Sequence, residues 1–124
     1  MELREITDYE ELIPLYDRYI QGTPNLTGTQ FVDSLLTLDN YKAFGVYKKN
    51  ELIAFIDGYE LTSKVYKLGN VYKGKGTARD ILKLYNYFEL NIAQLGYIGW
   101  RVDSTRDTIN IVKKLGAVTW EQPY

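Results

Sequence analysis

Seven consecutive residues, Lys73-Gly74-Lys75-Gly76-Thr77-Ala78-Arg79, combine two closely spaced glycines with three cations. Glycine lets a backbone turn tightly and approach a ligand with no Cβ in the way. A helix starting at Thr77 would add the unbonded N–H groups of its first turn at the same place. Backbone donors, a helix N-terminus and the charges of Lys73, Lys75 and Arg79 together suit a phosphate or diphosphate. A connecting loop with solvated lysines has the same composition, so that reading stays open on these residues alone. The stretch is not a nucleotide P-loop, because Gly-x-x-x-x-Gly-Lys-[Ser/Thr] is absent, nor a dinucleotide fingerprint, because the third glycine and its distant acid are not in place.

Such a loop needs a strand before it and a helix behind it. Residues 65–72 are rich in β-branched and aromatic side chains and read as that strand. The spacing predicts a helix over 77–95, with Ala78, Ile81, Leu82, Tyr85, Phe88, Ile92 and Leu95 as its apolar stripe, Glu89 toward solvent and Gly96 as terminator. Upstream, 41–47 and 52–61 read as strands joined by Lys48-Lys49-Asn50-Glu51, a hairpin with Asn50 suited to a left-handed conformation. Thr62-Ser63-Lys64 returns the chain into 65–72, completing a three-strand meander.

The N-terminal part reads as a strand over 3–6 and a helix over 8–20, capped by Thr7 with Glu10 as reciprocal partner and carrying Leu12, Leu15, Tyr16 and Tyr19. Gln21-Gly22-Thr23-Pro24-Asn25 ends it, and a second helix starts behind Thr27, with Gln30 answering in a capping box and Phe31, Leu35 and Leu38 on its apolar side. Downstream come a strand over 97–102, an Asp103-Ser104 cap, a helix over 105–115 ending at Gly116, and a strand over 117–120. The order β-α-α-β-β-β-α-β-α-β defines a mixed α/β (α+β) fold around a central mixed sheet. The helix between the fourth and fifth strands makes them parallel neighbours, with ligand sites expected at their carboxyl ends.

The 124 residues form one domain, 1–124, and 45% hydrophobic with 25% charged residues is a globular balance. With no cysteine and no histidine, disulfides, the usual zinc sites and histidine catalysis are excluded, and no metal is expected. No run approaches the roughly 18 to 20 apolar residues of a membrane span. Met1-Glu2-Leu3-Arg4-Glu5-Ile6 lacks the layout of a secretion signal, so the cytoplasm is expected, or a particle assembled there. Lys64, Lys67, Lys73, Lys75, Arg79 and Lys83 face Asp80 alone in 64–83, whereas 1–40 is acidic. A local basic patch on a chain of net charge −1 suits a small anion and not a nucleic acid.

Lys73-Gly74-Lys75-Gly76-Thr77-Ala78 resembles the pyrophosphate loop [Gln/Arg]-x-x-Gly-x-[Gly/Ala] of the GCN5-related N-acyltransferase superfamily, with Lys73 in place of Gln or Arg. The stretch from Val102 to Gly116-Ala117 is similar to the family's later pattern, Asn-x-x-Ala-x-x-x-Tyr-x-x-x-Gly-Phe. The resemblance implies an acyl-CoA N-acyltransferase-like fold and transfer of an acyl group, usually acetyl, from acetyl-CoA to the amine of a small molecule or peptide. It places Gly74, Lys75, Gly76, Thr77 and Ala78 along the coenzyme diphosphate, with Lys73 and Arg79 adding charge. Leu68 and Asn70 would flank the opening for the pantetheine arm, and Thr105 stands where the family has Asn. Thr108 replaces Ala, Val112 replaces the Tyr that often serves as general acid, Asn70 replaces a frequent Pro, and no glutamate occurs in 61–81. Chemistry would then fall to substitutes: Glu60 as base ahead of Asp57, Tyr66 or Tyr72 as donor to the leaving sulfur, and N–H groups near Leu68 or Asn70 facing the thioester oxygen.

Gly99-Trp100-Arg101-Val102, Ile111, Lys114-Leu115-Gly116-Ala117-Val118 and Glu121, behind a helix bearing Tyr85, also resemble the small acyltransferase-like internal virion proteins of tailed bacteriophages. That likeness implies a retired active site, other virion proteins as partners and the virion interior as location. The absent Tyr and glutamate fit it.

Overall fold

The structure is a computed structural model and describes residues 1–19 and 27–102. Within it Lys49 and Asn50 both take left-handed backbone, with φ of 51° and 63°. That pair turns β2 (Lys42–Lys48) into β3 (Glu51–Glu60), because two left-handed residues match the twist of a tight hairpin. Thr62 Oγ1 accepts from the N–H groups of Lys64 and Val65, and this turn returns the chain antiparallel as β4 (Val65–Tyr72). β1 (Glu2–Glu5) pairs antiparallel with β2, and β5 (Gly99–Arg101) pairs parallel with β4. The sheet is therefore mixed, in the order β1-β2-β3-β4-β5. The expected cap at Asp103-Ser104, helix over 105–115 and strand over 117–120, together with Thr105 and the loop over 21–25, lie outside the described residues.

The first helix begins differently from expectation. Asp8, not Thr7, is the cap, its carboxylate accepting from Glu10 N at 3.1 Å, and Tyr9–Leu12 forms a 3₁₀ turn ahead of α1 (Ile13–Tyr19). Pro14 has no N–H to offer the Glu10 carbonyl, and the N–H of Ile13 takes that acceptor in the tighter geometry. α2 (Gly28–Leu35) starts as its sequence predicts, with Thr27 and Gln30 exchanging hydrogen bonds of 3.2 and 3.0 Å. α3 (Ala78–Gln94) is capped by Thr77 and Asp80 in the same reciprocal way. Gly96, at φ 100°, closes it: Gly96 N reaches Ala93 O and Tyr97 N reaches Ile92 O, which satisfies two end carbonyls.

The helices lie on both faces of the sheet. Ile81, Leu84, Tyr85, Phe88 and Ile92 of α3 pack on Phe44, Val46, Ala54, Ile56, Tyr66 and Leu68. Burying each such large side chain stabilises by about 1.5–3 kcal/mol. Leu84 belongs to the buried stripe, whereas the predicted Leu95 is 54% exposed and Ala78 is exposed. Leu12, Leu15 and Tyr16, with Val32 and Leu35, cover the other face against Tyr41, Ala43, Tyr47 and Phe55. Glu89 reaches solvent as expected and accepts from Trp100 Nε1 at 3.0 Å. Among the described residues no helix is long and apolar enough to cross a membrane.

Candidate functional site

β4 outruns β5 among the described residues. They pair at Val65 with Gly99, Tyr66 with Trp100 and Lys67 with Arg101, after which β4 runs on to Tyr72 with no strand beside it on that side among the described residues. The register between β3 and β4 breaks at the same level: Gly58 opposes Leu68, Asp57 opposes Asn70, and Gly69 is the extra residue of a bulge. A Cβ on Gly58 would lie 2.4 Å from the Lys67 carbonyl oxygen, so the backbone crossing there requires glycine.

Asp57 holds this bulge. Its carboxylate is fully buried, and Oδ1 accepts from Asn70 N at 2.7 Å and from Asn70 Nδ2 at 3.2 Å. Oδ2 accepts from the hydroxyls of Tyr41, at 2.6 Å, and Tyr16. Four donors match the four acceptor positions of an ionised carboxylate. Burial pushes the Asp57 pKa up, while the hydrogen bonds from Tyr16, Tyr41 and Asn70 oppose that rise. The Tyr16 and Tyr41 phenols are pushed far above their ordinary value, by burial first and the Asp57 charge second, so both remain donors.

At the end of β4 the glycine loop presses against β3. Gly74 has φ 51°, and a Cβ there would meet the Ile53 carbonyl oxygen at 2.3 Å. The expectation that every amide of this loop faces a ligand needs correction. Gly76 N donates to Lys73 O at 2.7 Å and Thr77 N to Asp80 Oδ2 at 2.9 Å. Among the described residues the N–H groups of Gly74, Lys75, Ala78 and Arg79 have no such acceptor. Asp80 also pairs with Lys48 Nζ at 3.0 Å, and the Thr77 N–H foremost, then Lys48, lower its pKa to about 2. Lys73 and Arg79 are exposed, while Lys75 Nζ lies 3.0 Å from Glu51 Oε1. A cavity of about 130 Å³ beside the loop is bounded by Leu15, Arg18, Leu52, Tyr72, Gly74 and Lys75.

Of the expected side-chain catalysts, Tyr72 lies at the loop, partly buried and stacked on Phe55 at 5.7 Å. Tyr66 is fully buried, with its hydroxyl donating to the carbonyls of Asn40, at 2.6 Å, and Gly58, at 2.9 Å. Glu60 opposes Tyr66 at the far end of β3, whereas Tyr72 opposes Phe55. At roughly 3.3 Å per residue this places Glu60 about 20 Å along the strand from the loop. Its Oε1 accepts from Tyr97 Oη at 2.8 Å, a contact internal to that end of the sheet. Leu68 and Asn70 lie on β4 beyond its described pairs with β5; the Leu68 side chain is in the core, and the Asn70 N–H expected to face a thioester oxygen is bound by Asp57 Oδ1. The grouping missed in the sequence is Asp57 with Tyr16, Tyr41 and Asn70. An acid directly after the apolar run Ile53-Ala54-Phe55-Ile56 of a strand is the signal for it, because a buried carboxylate requires partners.

No protein-family model and no curated protein sequence matches the chain. Its fold, in contrast, matches solved structures. A probable acetyltransferase superposes with a TM-score of 0.79 at 17% identity, covering 100% of this chain and 95% of that one. A ribosomal-protein-alanine N-acetyltransferase from Brucella melitensis biovar Abortus 2308 gives 0.76 at 17% identity over 100% and 97%. An aminoglycoside N-acetyltransferase in complex with CoA gives 0.77 at 16% identity over 99% and 91%. The architecture is the acyl-CoA N-acyltransferase-like fold.

Proposed function

We propose that the protein is an acyl-CoA-dependent N-acyltransferase that moves an acetyl group from acetyl-CoA to the amine of a small molecule. The observation that carries this reading is the glycine loop between β4 and the N-terminus of α3, with amides that have no acceptor among the described residues, in a fold shared with acetyltransferases. The N–H groups of Gly74, Lys75, Ala78 and Arg79 hold the diphosphate, and the Lys73 and Arg79 charges attract it. The pantetheine arm lies along Leu68 to Asn70, the part of β4 beyond its described pairs with β5. The amine attacks the thioester carbonyl, the carbon–sulfur bond breaks, and the thiolate takes a proton from water, since Tyr72 adjoins the diphosphate end of the site. Asp57 is closer to the opening than Glu60 but is enclosed, so the ammonium proton leaves through water.

A small-molecule amine fits better than a nucleic acid, since structural neighbours include aminoglycoside acetyltransferases, one in complex with sisomicin. Calorimetric titration with acetyl-CoA tests the proposal. One-to-one binding is expected; no heat of binding would remove the enzyme reading.

A further inference from the structure

The bulge of β4 follows its last described pair with β5, Lys67 with Arg101: the irregularity opposes Asp57 and Gly58 one to three residues later. The Asn70 N–H at this bulge is bound by a side chain, Asp57 Oδ1 at 2.7 Å. The same carboxylate is held from behind by Tyr16 of α1 and by Tyr41. We infer that Asp57 is a positioning residue for the ligand site: its carboxylate straps Asn70 and so sets the course of β4 along which the coenzyme arm lies. This rests on the coenzyme reading above. Asp57 does not touch the ligand; it acts through residues 67–70. A bulge bends its strand and raises local twist, so the side chain that pins it fixes the course of residues 70–72 toward the glycine loop.

The tyrosines supply a built-in comparison. Tyr41→Phe removes one donor to Oδ2 and leaves the Asn70 strap intact, whereas Asp57→Ala removes the strap. Both lower stability. Only Asp57→Ala is expected to weaken CoA binding, by about tenfold in calorimetry, while Tyr41→Phe stays within about twofold of wild type. Equal affinities in the two folded variants would overturn the assignment.

Should Asp57→Ala fail to fold, amide spectra of the full wild-type chain titrated with CoA decide the question. Shifts at Lys67, Leu68, Gly69 and Asn70 as well as at the glycine loop are expected. Shifts confined to Gly74, Lys75, Ala78 and Arg79 would overturn the role of Asp57 and leave the coenzyme reading standing. No shift anywhere would remove both.

Discussion

Lys48 Nζ lies 3.0 Å from Asp80 Oδ2, an ion pair that ties the end of β2 to the first turn of α3. The same carboxylate accepts from Thr77 N, so one side chain serves as helix cap and as cross-link between sheet and helix. These contacts, the Thr77 N–H first, hold the Asp80 pKa at about 2. A folded-state pKa below the unfolded value of about 3.9 gives stability that is complete above roughly pH 4 and is lost as pH falls toward 2. Asp80→Asn should therefore melt at a lower temperature than wild type at neutral pH, with the difference shrinking between about pH 4 and pH 2. Thermal denaturation followed by circular dichroism across that range measures it. A gap that stays constant down to pH 2 would assign the acid sensitivity elsewhere.

Asp80 also places a negative charge at the helix N-terminus proposed for a diphosphate. Two unit charges roughly 6 Å apart in water repel by about 0.7 kcal/mol, a factor of about three in affinity. Asp80→Asn should thus bind CoA about threefold more tightly while being less stable, a combination that generic damage to the fold cannot produce. Weaker binding in calorimetry would mean that the carboxylate supports the loop more than it repels the ligand.

How far these features were legible in the sequence depended on how local their causes are. Asn50 announced the hairpin, Thr27 and Thr77 announced their helices, and 65–72 matched β4 at both ends, because turn and cap chemistry acts over a few residues. The start of the first helix departs from its pattern because Thr7 and Glu10 have capping-box spacing, yet Asp8 takes the cap and Pro14, with no N–H, leaves the Glu10 carbonyl to Ile13 in a 3₁₀ turn. The glycine loop was visible, yet Thr77-x-x-Asp80 is itself a capping-box pattern, and it takes the Thr77 amide that a ligand was expected to use. The Asp57 cluster joins positions 16, 41, 57 and 70, and no spacing rule links residues that only the folded sheet and α1 bring together.

Tyr66 separates packing from catalysis. Its hydroxyl is enclosed and shared between the carbonyls of Asn40 and Gly58. Tyr66→Phe should lower stability by about 1 kcal/mol through the lost hydrogen bonding. Acetyl transfer by the folded variant, followed as thiol release, should remain within about twofold, whereas loss of a general acid would slow it by about 10² to 10⁴. A hundredfold fall in kcat at unchanged melting temperature would restore Tyr66 as proton donor.

The loop offers a contrast between backbone and charge. Gly74 has φ 51° and its missing Cβ would fall 2.3 Å from Ile53 O, so Gly74→Ala meets both torsional strain and a backbone clash. A loss of about 1–3 kcal/mol in stability is expected from strain of that kind. Arg79 is exposed in the first turn of α3, and Arg79→Glu should leave stability within about 0.5 kcal/mol. Reversing that charge beside a diphosphate should weaken CoA binding by about tenfold at low salt, with the difference from wild type narrowing as salt is raised. Chemical denaturation and calorimetry on the two variants check both halves. If Arg79→Glu binds CoA as tightly as wild type at low salt, the diphosphate does not sit at the N-terminus of α3, since a reversed charge in its first turn acts on any polyanion held there.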